Sequence, residues 1–219
     1  RSTMDLDTTI KGIAMDRETI TKVINDIINI DLNDNIKLEL DRIKDIREEE
    51  LYSGFNVNLN AEFDGLKTNL MIDITTGDVI TYREIEYEYT TIFDNEIIKI
   101  MSYNYETILA EKFEAIISRN IDNSRMKDYY DMYMFINLKW KDIDKVLLKK
   151  AVFNTSNNRG TLEFINNASK YIKLIEDDTR LKLLWENYQK NYEYAKNISY
   201  KDTIDAIKVI YDCIGSIKN

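Results

Sequence analysis

Apolar and polar residues alternate along much of the first hundred positions, and a helical period takes over after that. Phe55, Val57, Leu59, Ala61 and Phe63 recur at every second position, the spacing that lays one face of a strand on a core. Asp64-Gly65 follows, and 66–75 is a second β-rich run. An Asp-Gly pair between two such runs predicts a two-residue hairpin, and Gly77-Asp78 closes its second strand. Residues 36–47 begin as an alternating strand on Ile36, Leu38 and Leu40, and continue with Ile43 and Ile46. Shorter strands are predicted at 4–10, 85–89 and 97–101. One helix interrupts the strands. Over 17–30, Ile20, Val23, Ile24, Ile27 and Ile28 share a face, and Asp16 is placed to cap it.

After Tyr103 helices are predicted over 105–119, 125–138, 142–152, 160–175, 179–195 and 202–217. Ser124 is the expected N-cap of the second. Asp177, Asp178 and Thr179 suit the start of the fifth, where capping and the helix dipole favour them. The fold class is therefore α+β, a mixed sheet followed by a helical C-terminal half. The period change sets the expected boundary: a sheet-rich domain over 1–103 and a helical domain packed on it over 104–219.

Composition narrows the chemistry. The 219 residues include no histidine and one cysteine. Ser-His-Asp and Cys-His hydrolysis are excluded, as are zinc sites built on imidazole or on four thiolates. Carboxylates, Lys, Arg, hydroxyls and a hard metal ion remain. Cys213, among Ile210, Ile214 and Ile217, reads as a small buried hydrophobe. No apolar stretch is long enough to span a bilayer. No signal-peptide pattern follows Arg1, and a single cysteine suits a reducing cytoplasm. The net charge of −9 is uneven: residues 1–120 carry 13 basic and 25 acidic side chains, residues 121–219 carry 17 and 14. The acidic half suits cations, and the second half meets a polyanion more easily.

Within Thr3-Met4-Asp5-Leu6-Asp7, strand geometry turns Asp5 and Asp7 to one side and Met4 and Leu6 toward a core. Asp73 stands in Leu70-Met71-Ile72-Asp73-Ile74, a run otherwise apolar. It is either an edge aspartate or a metal-facing one, since burying it alone is costly. If its strand neighbours the first, three carboxylates converge as in a two-metal site. Lys112 and Arg119 lie two turns apart on one helix face. Asp128 and Asp131 share a face of the next helix. They orient Lys112 or Arg119, or activate a hydroxyl as general base, or form an ordinary helical ion-pair network.

Four stretches together resemble the AbiEii/AbiGii toxin nucleotidyltransferases. They are 1–7, 72–78, Glu106 through Ala115 with its Glu111-Lys112 pair, and 123–131 with its Lys127-Asp128-Tyr129-Tyr130-Asp131 block. Asn158-Arg159-Gly160-Thr161 is also similar. The resemblance spans nearly the whole chain. It implies a DNA polymerase β-like nucleotidyltransferase core with a helical C-terminal half. It implies Mg²⁺ or Mn²⁺ on Asp5 and Asp7, with Asp73 as the third acidic residue. Lys112 matches the family's essential lysine, a ligand for NTP phosphates, with Ser2, Arg119, Arg125 and Lys127 as further nucleotide contacts. Asp128 or Asp131 matches the late essential aspartate.

The implied reaction moves an NMP from an NTP to an acceptor hydroxyl, most naturally the 3′ end of tRNA. That would block translation in a type IV toxin–antitoxin or abortive phage-defence system. A cognate antitoxin need not form a stable complex. Lys149, Lys150, Arg159 and Lys170 are the expected RNA-backbone contacts. Two alternatives stay open, nucleotidylation of a protein Ser, Thr or Tyr, and a non-catalytic nucleotide-binding protein. The family's Gly-Ser or Gly-Gly pair ahead of Asp-x-Asp is reduced here to Ser2, so an upstream segment is expected to be missing.

Overall fold

The computed structural model describes residues 5–46, 54–92 and 95–216, with the side chains of Asp5 and Ser216 left aside. The chain forms two compact units, Arg1–Asp78 and Val79–Asn219. The class is α+β, as the periodicity indicates. The break falls at Asp78/Val79, where the periodicity puts it at 103.

Among the described residues, the first unit is a four-stranded sheet with one helix. Its strands are β1 (Asp5–Thr9), β2 (Lys37–Ile46), β3 (Gly54–Phe63) and β4 (Leu66–Thr75), in the order β1-β4-β3-β2. β1 runs parallel to β4, and the other pairs are antiparallel, which makes the sheet mixed. The β3–β4 hairpin turns on Asp64 and Gly65, both at positive φ, 46° and 80°. That is the two-residue turn whose twist matches its strands. The register of β2 slips between Leu40 and Arg42. The slip explains why its apolar spacing changes from two to three between Leu40 and Ile43: a bulge carries the extra residue and returns the alternation to phase.

One sheet face carries Phe55, Val57, Leu59, Ile72, Ile74 and Ile43, and α1 (Arg17–Ile28) covers it with Ile20 and Ile24. Asp16 caps α1, accepting from the Thr19 amide at 2.8 Å. Leu6 departs from expectation. It is 57% exposed, because β1 is an edge strand and α1 comes nearest to β2, at the opposite edge of the sheet.

The second unit opens with an antiparallel hairpin, β5 (Ile85–Thr90) and β6 (Ile97–Ser102), forming a separate two-stranded sheet. Among the described residues, six α-helices of eight residues or more follow, with one short α-helix among them. They are α2 (Tyr105–Arg119), α3 (Met126–Lys139), α4 (Lys145–Asn158), α5 (Leu162–Asn166), α6 (Ala168–Asp177), α7 (Thr179–Asn191) and α8 (Tyr200–Ser216). Their core holds Leu109, Phe113, Ile116, Tyr129, Leu148 and Trp185 among others. Cys213 packs at its margin, and burial pushes its thiol above the ordinary range.

Two local expectations are corrected. The helix expected over 160–175 is two helices, because the Asn167 side chain bonds back to the Glu163 carbonyl at 2.9 Å and ends the first. Ser124 does not cap α3. Arg125 occupies that position without a side-chain cap, and Asn123 Oδ1 takes the Arg125 amide at 2.9 Å. Among the described residues, no helix is long and apolar enough to cross a membrane.

Candidate active site

The parallel pairing of β1 with β4 decides where the strand carboxylates stand. Asp7 is in register with Asp73, and Asp5 with Met71. Register partners on adjacent strands share a face about 4.8 Å apart. Asp7 and Asp73 therefore sit side by side on the sheet face opposite α1. Asp7 is exposed and Asp73 half-buried. The row continues across the sheet through Asn56 to Lys44.

The Asp73 carboxylate is not loose. Asn56 Nδ2 donates to its Oδ1 at 2.5 Å, and Asn58 Nδ2 donates to Asn56 Oδ1 at 2.6 Å. At the carboxyl ends of β1 and β4, the Thr9 and Thr75 hydroxyls both donate to Asp78 Oδ2 at 3.2 Å. That bonding ties Asp78 into the β1–β4 join. Among the described residues, no three carboxylate or thiolate side chains gather closely enough to hold a metal ion. The described pair is Asp7 and Asp73. Two carboxylates fit a hard cation such as Mg²⁺, which commonly takes one or two from the protein and completes its shell with waters and substrate phosphates.

The helical unit holds a second constellation. Lys112 of α2 donates to Asp128 Oδ1 at 3.1 Å and Asp131 Oδ2 at 2.9 Å, both on α3. Arg125 adds its Nε at 3.2 Å from the other oxygen of Asp128. The Lys112 side chain is 20% exposed and that of Asp128 only 3%. Burial alone would lower the lysine pKa. The Asp128 and Asp131 charges outweigh burial and hold it above the ordinary value. The ammonium has three N–H donors and two are used, so one is left for an anion.

Other expected contacts fare differently. Arg119 is exposed at the end of α2 and Lys127 is half-buried, and neither forms an ion pair among the described residues. Ser2 lies outside the described residues. Arg159 is turned inward. Its NH1 lies 2.7 Å from Glu114, which is 3% exposed, and NH2 lies 3.5 Å from Glu111. A guanidinium committed to a buried carboxylate is not a surface contact for RNA. Lys150 and Lys170 are exposed, and Lys149 is half-buried. An open cleft lined by Glu176, Lys182, Trp185, Gln189 and Tyr200 contains none of the predicted site residues.

The sequence reading missed Asn56, Asn58 and the Arg159–Glu114 pair. A signal for the amides exists: Asn56, Asn58 and Asn60 alternate with Phe55, Val57 and Leu59, although Asn is a poor strand former.

The model of the nucleotidyl transferase AbiEii toxin family, of type IV toxin–antitoxin systems, matches residues 1–207. The chain belongs to this family. AbiEii membership makes it a nucleotidyltransferase of the toxin type. No curated protein matches it. Two Helicobacter pylori crystal structures align with it, each at 14% identity and over 99% of this chain. One is of a protein described as a candidate nucleotidyltransferase, with TM-score 0.46 and 79% of that chain covered. The other is of JHP933, with TM-score 0.48 and 77% covered. The family assignment rests on the AbiEii model match.

Proposed function

We propose that this AbiEii-family chain is a divalent-metal-dependent toxin that transfers an NMP from an NTP to the 3′ end of tRNA and so stops translation. The observation that carries the metal-dependent part is the register of Asp7 against Asp73 on adjacent parallel strands. Two carboxylates side by side repel unless a cation joins them. Asp5, Asp7 and Asp73 are the proposed ligands of Mg²⁺ or Mn²⁺. The ion would neutralise charge on the transferring phosphoryl group and lower the pKa of an oxygen bound to it. The acceptor hydroxyl attacks the α-phosphorus in line. The bond to the bridging oxygen breaks, and pyrophosphate leaves with its electron pair.

In the helical unit Lys112 is the proposed phosphate ligand, its ammonium held by Asp128 and Asp131 with one donor directed to the anion. Arg125 holds Asp128 and thereby the lysine. The site of action is the cytoplasm, and the counteracting partner is an antitoxin that acts without a lasting complex. Abortive phage defence is the setting that the family suggests.

The test uses the protein with Mg²⁺ and each α-labelled NTP in turn, plus bulk tRNA and cell lysate. An Asp5→Ala/Asp7→Ala variant is the control. Label on tRNA that vanishes in the variant supports the proposal and names the nucleotide. Label on a protein band replaces tRNA by a protein hydroxyl. No label from either form leaves a nucleotidyltransferase fold used for binding alone.

A further inference from the structure

Two strands of the sheet unit, β3 and β4, are joined by a hydrogen-bonded row of side chains that the carboxylates alone do not explain. Asn58 of β3 is 7% exposed. Its Nδ2 donates to Asn56 Oδ1 at 2.6 Å, and Asn56 Nδ2 donates to Asp73 Oδ1 at 2.5 Å. Backbone register repeats the order, Asp7 beside Asp73 and Asp73 beside Asn56. The chemistry allows one direction only. An ionised carboxylate has no donor, so Asn56 must present its NH₂ to Asp73. The carbonyl of Asn56 is then turned away, and only a donor can satisfy it. Asn58 supplies that donor.

We propose that Asn56 and Asn58 are positioning residues. They form a two-amide relay that fixes Asp73 in one rotamer with Oδ1 occupied and Oδ2 left for a cation shared with Asp7. This rests on the metal-dependent reading above. The relay makes energetic sense of a sequence oddity. Asparagine at alternate positions of a strand costs β propensity, and a carboxylate in a mostly apolar strand costs more without a partner. Each removes the other's penalty. A row of hydrogen bonds anchored on a buried amide also restricts Asp73 more than a single exposed partner would. Groups that orient metal ligands in this way commonly change metal affinity by ten- to a hundredfold when removed.

The experiment measures Mn²⁺ binding to the full chain, without nucleotide, by the loss of the free-ion electron paramagnetic resonance signal. Asn56→Ala should weaken the Kd about tenfold. Asn58→Ala should weaken it by a smaller factor, because it acts through Asn56. Asp73→Ala should weaken it most, and Asn56→Ala added to Asp73→Ala should bring no further loss. Circular dichroism on each variant shows whether the sheet unit has folded. Asn56→Ser, which keeps a hydroxyl donor, covers the case in which Asn56→Ala does not fold, and is expected to fall between wild type and Asn56→Ala. Folded variants at Asn56 that bind Mn²⁺ like wild type overturn the relay and leave the metal reading standing. An equal further loss in the Asp73→Ala background overturns it too, since Asn56 would then act independently of Asp73. A wild-type chain that binds no Mn²⁺ overturns both readings.

Discussion

At the scale of the residue, the Lys112 cluster makes the sharpest claims. Asp128 takes Lys112 and Arg125 and is almost fully buried, while Asp131 takes Lys112 and is more open. Removing one partner of a buried ion pair leaves an uncompensated charge and costs about 3 kcal/mol or more. Asp128→Asn should therefore destabilise the helical unit by about that much, and Asp131→Asn by clearly less, in urea titrations. Equal losses would mean that the deeper burial of Asp128 has no energetic weight. The pH behaviour has a definite sign. A folded-state lysine pKa above its unfolded value stabilises the fold at all pH values below the unfolded one. That contribution disappears as pH rises through the folded value. The Lys112 contribution should thus be fully present and independent of pH near neutrality, and should be lost above pH 10.5, the ordinary lysine value. The resulting fall in stability should be shallower in Lys112→Met. The neighbouring Tyr129 points to a different outcome. Its ring is wholly buried and its hydroxyl has no hydrogen-bond partner among the described residues. Burial, then the nearby Tyr200 and Asp128 charges, push its phenol far above the usual range. Tyr129→Phe removes an unsatisfied polar atom while keeping the ring. It should stabilise by about 1 kcal/mol or be neutral. A loss above that would show that the hydroxyl has a partner, and would reopen a chemical role for it.

At the scale of the element, what the sequence reveals depends on how local the determining contact is. The β3–β4 hairpin is legible because its turn needs two positive φ values and Asp-Gly supplies them within two residues. α2 is legible to the residue, since Asn104 caps it through the Thr107 amide at 2.8 Å and its own apolar spacing does the rest. The break at Asn167 is not legible, because an asparagine between two helical runs fits a continuous helix equally well until its side chain chooses the backbone. The candidate site divides in the same way. Asp73 stands out as a carboxylate in an otherwise apolar run, and Asp5 and Asp7 as a pair on one face of a strand. That Asp7 lies beside Asp73 depends on a parallel pairing across 65 residues, which no local pattern encodes. The family resemblance supplies the lysine and late-aspartate block, where periodicity alone favours an ordinary ion-pair network. Gly54 tests the element that carries Asp73. A Cβ there would lie 2.8 Å from the Ile74 carbonyl oxygen. A backbone atom cannot move aside as a flexible side chain can, so Gly54→Ala should cost about 1–3 kcal/mol and push β3 away from β4 beside Asp73. Thermal unfolding reads the cost. An unchanged melting temperature would show that the strand end yields freely.

At the scale of the whole molecule, the two units differ in charge and in core. Residues 1–78 carry 9 basic and 17 acidic side chains, and residues 79–219 carry 21 and 22. Nearly all the negative charge therefore lies with the proposed metal ligands, where it favours cations. The core of the first unit is built on Ile20, Ile24, Phe55, Val57, Leu59 and Ile74, while that of the second runs through most of its helices. Buried apolar area sets stability, so the sheet unit should unfold first and a single two-state transition is not expected. Both tryptophans, Trp140 and Trp185, belong to the helical unit, which separates the probes. Tryptophan fluorescence follows the helical unit alone, and far-ultraviolet circular dichroism follows both. In urea, the dichroism signal should begin to fall before fluorescence changes. On the metal-dependent reading proposed above, Mn²⁺ binds only the folded form of the unit holding Asp7 and Asp73, so by mass action it should raise the earlier midpoint and leave the fluorescence midpoint where it was. At a hundredfold excess over Kd that gain is about 2.7 kcal/mol, and chelation should remove it. Coincident transitions would mean that the units unfold as one. A shift of the fluorescence midpoint alone would move the cation to the helical unit and away from the paired strand aspartates.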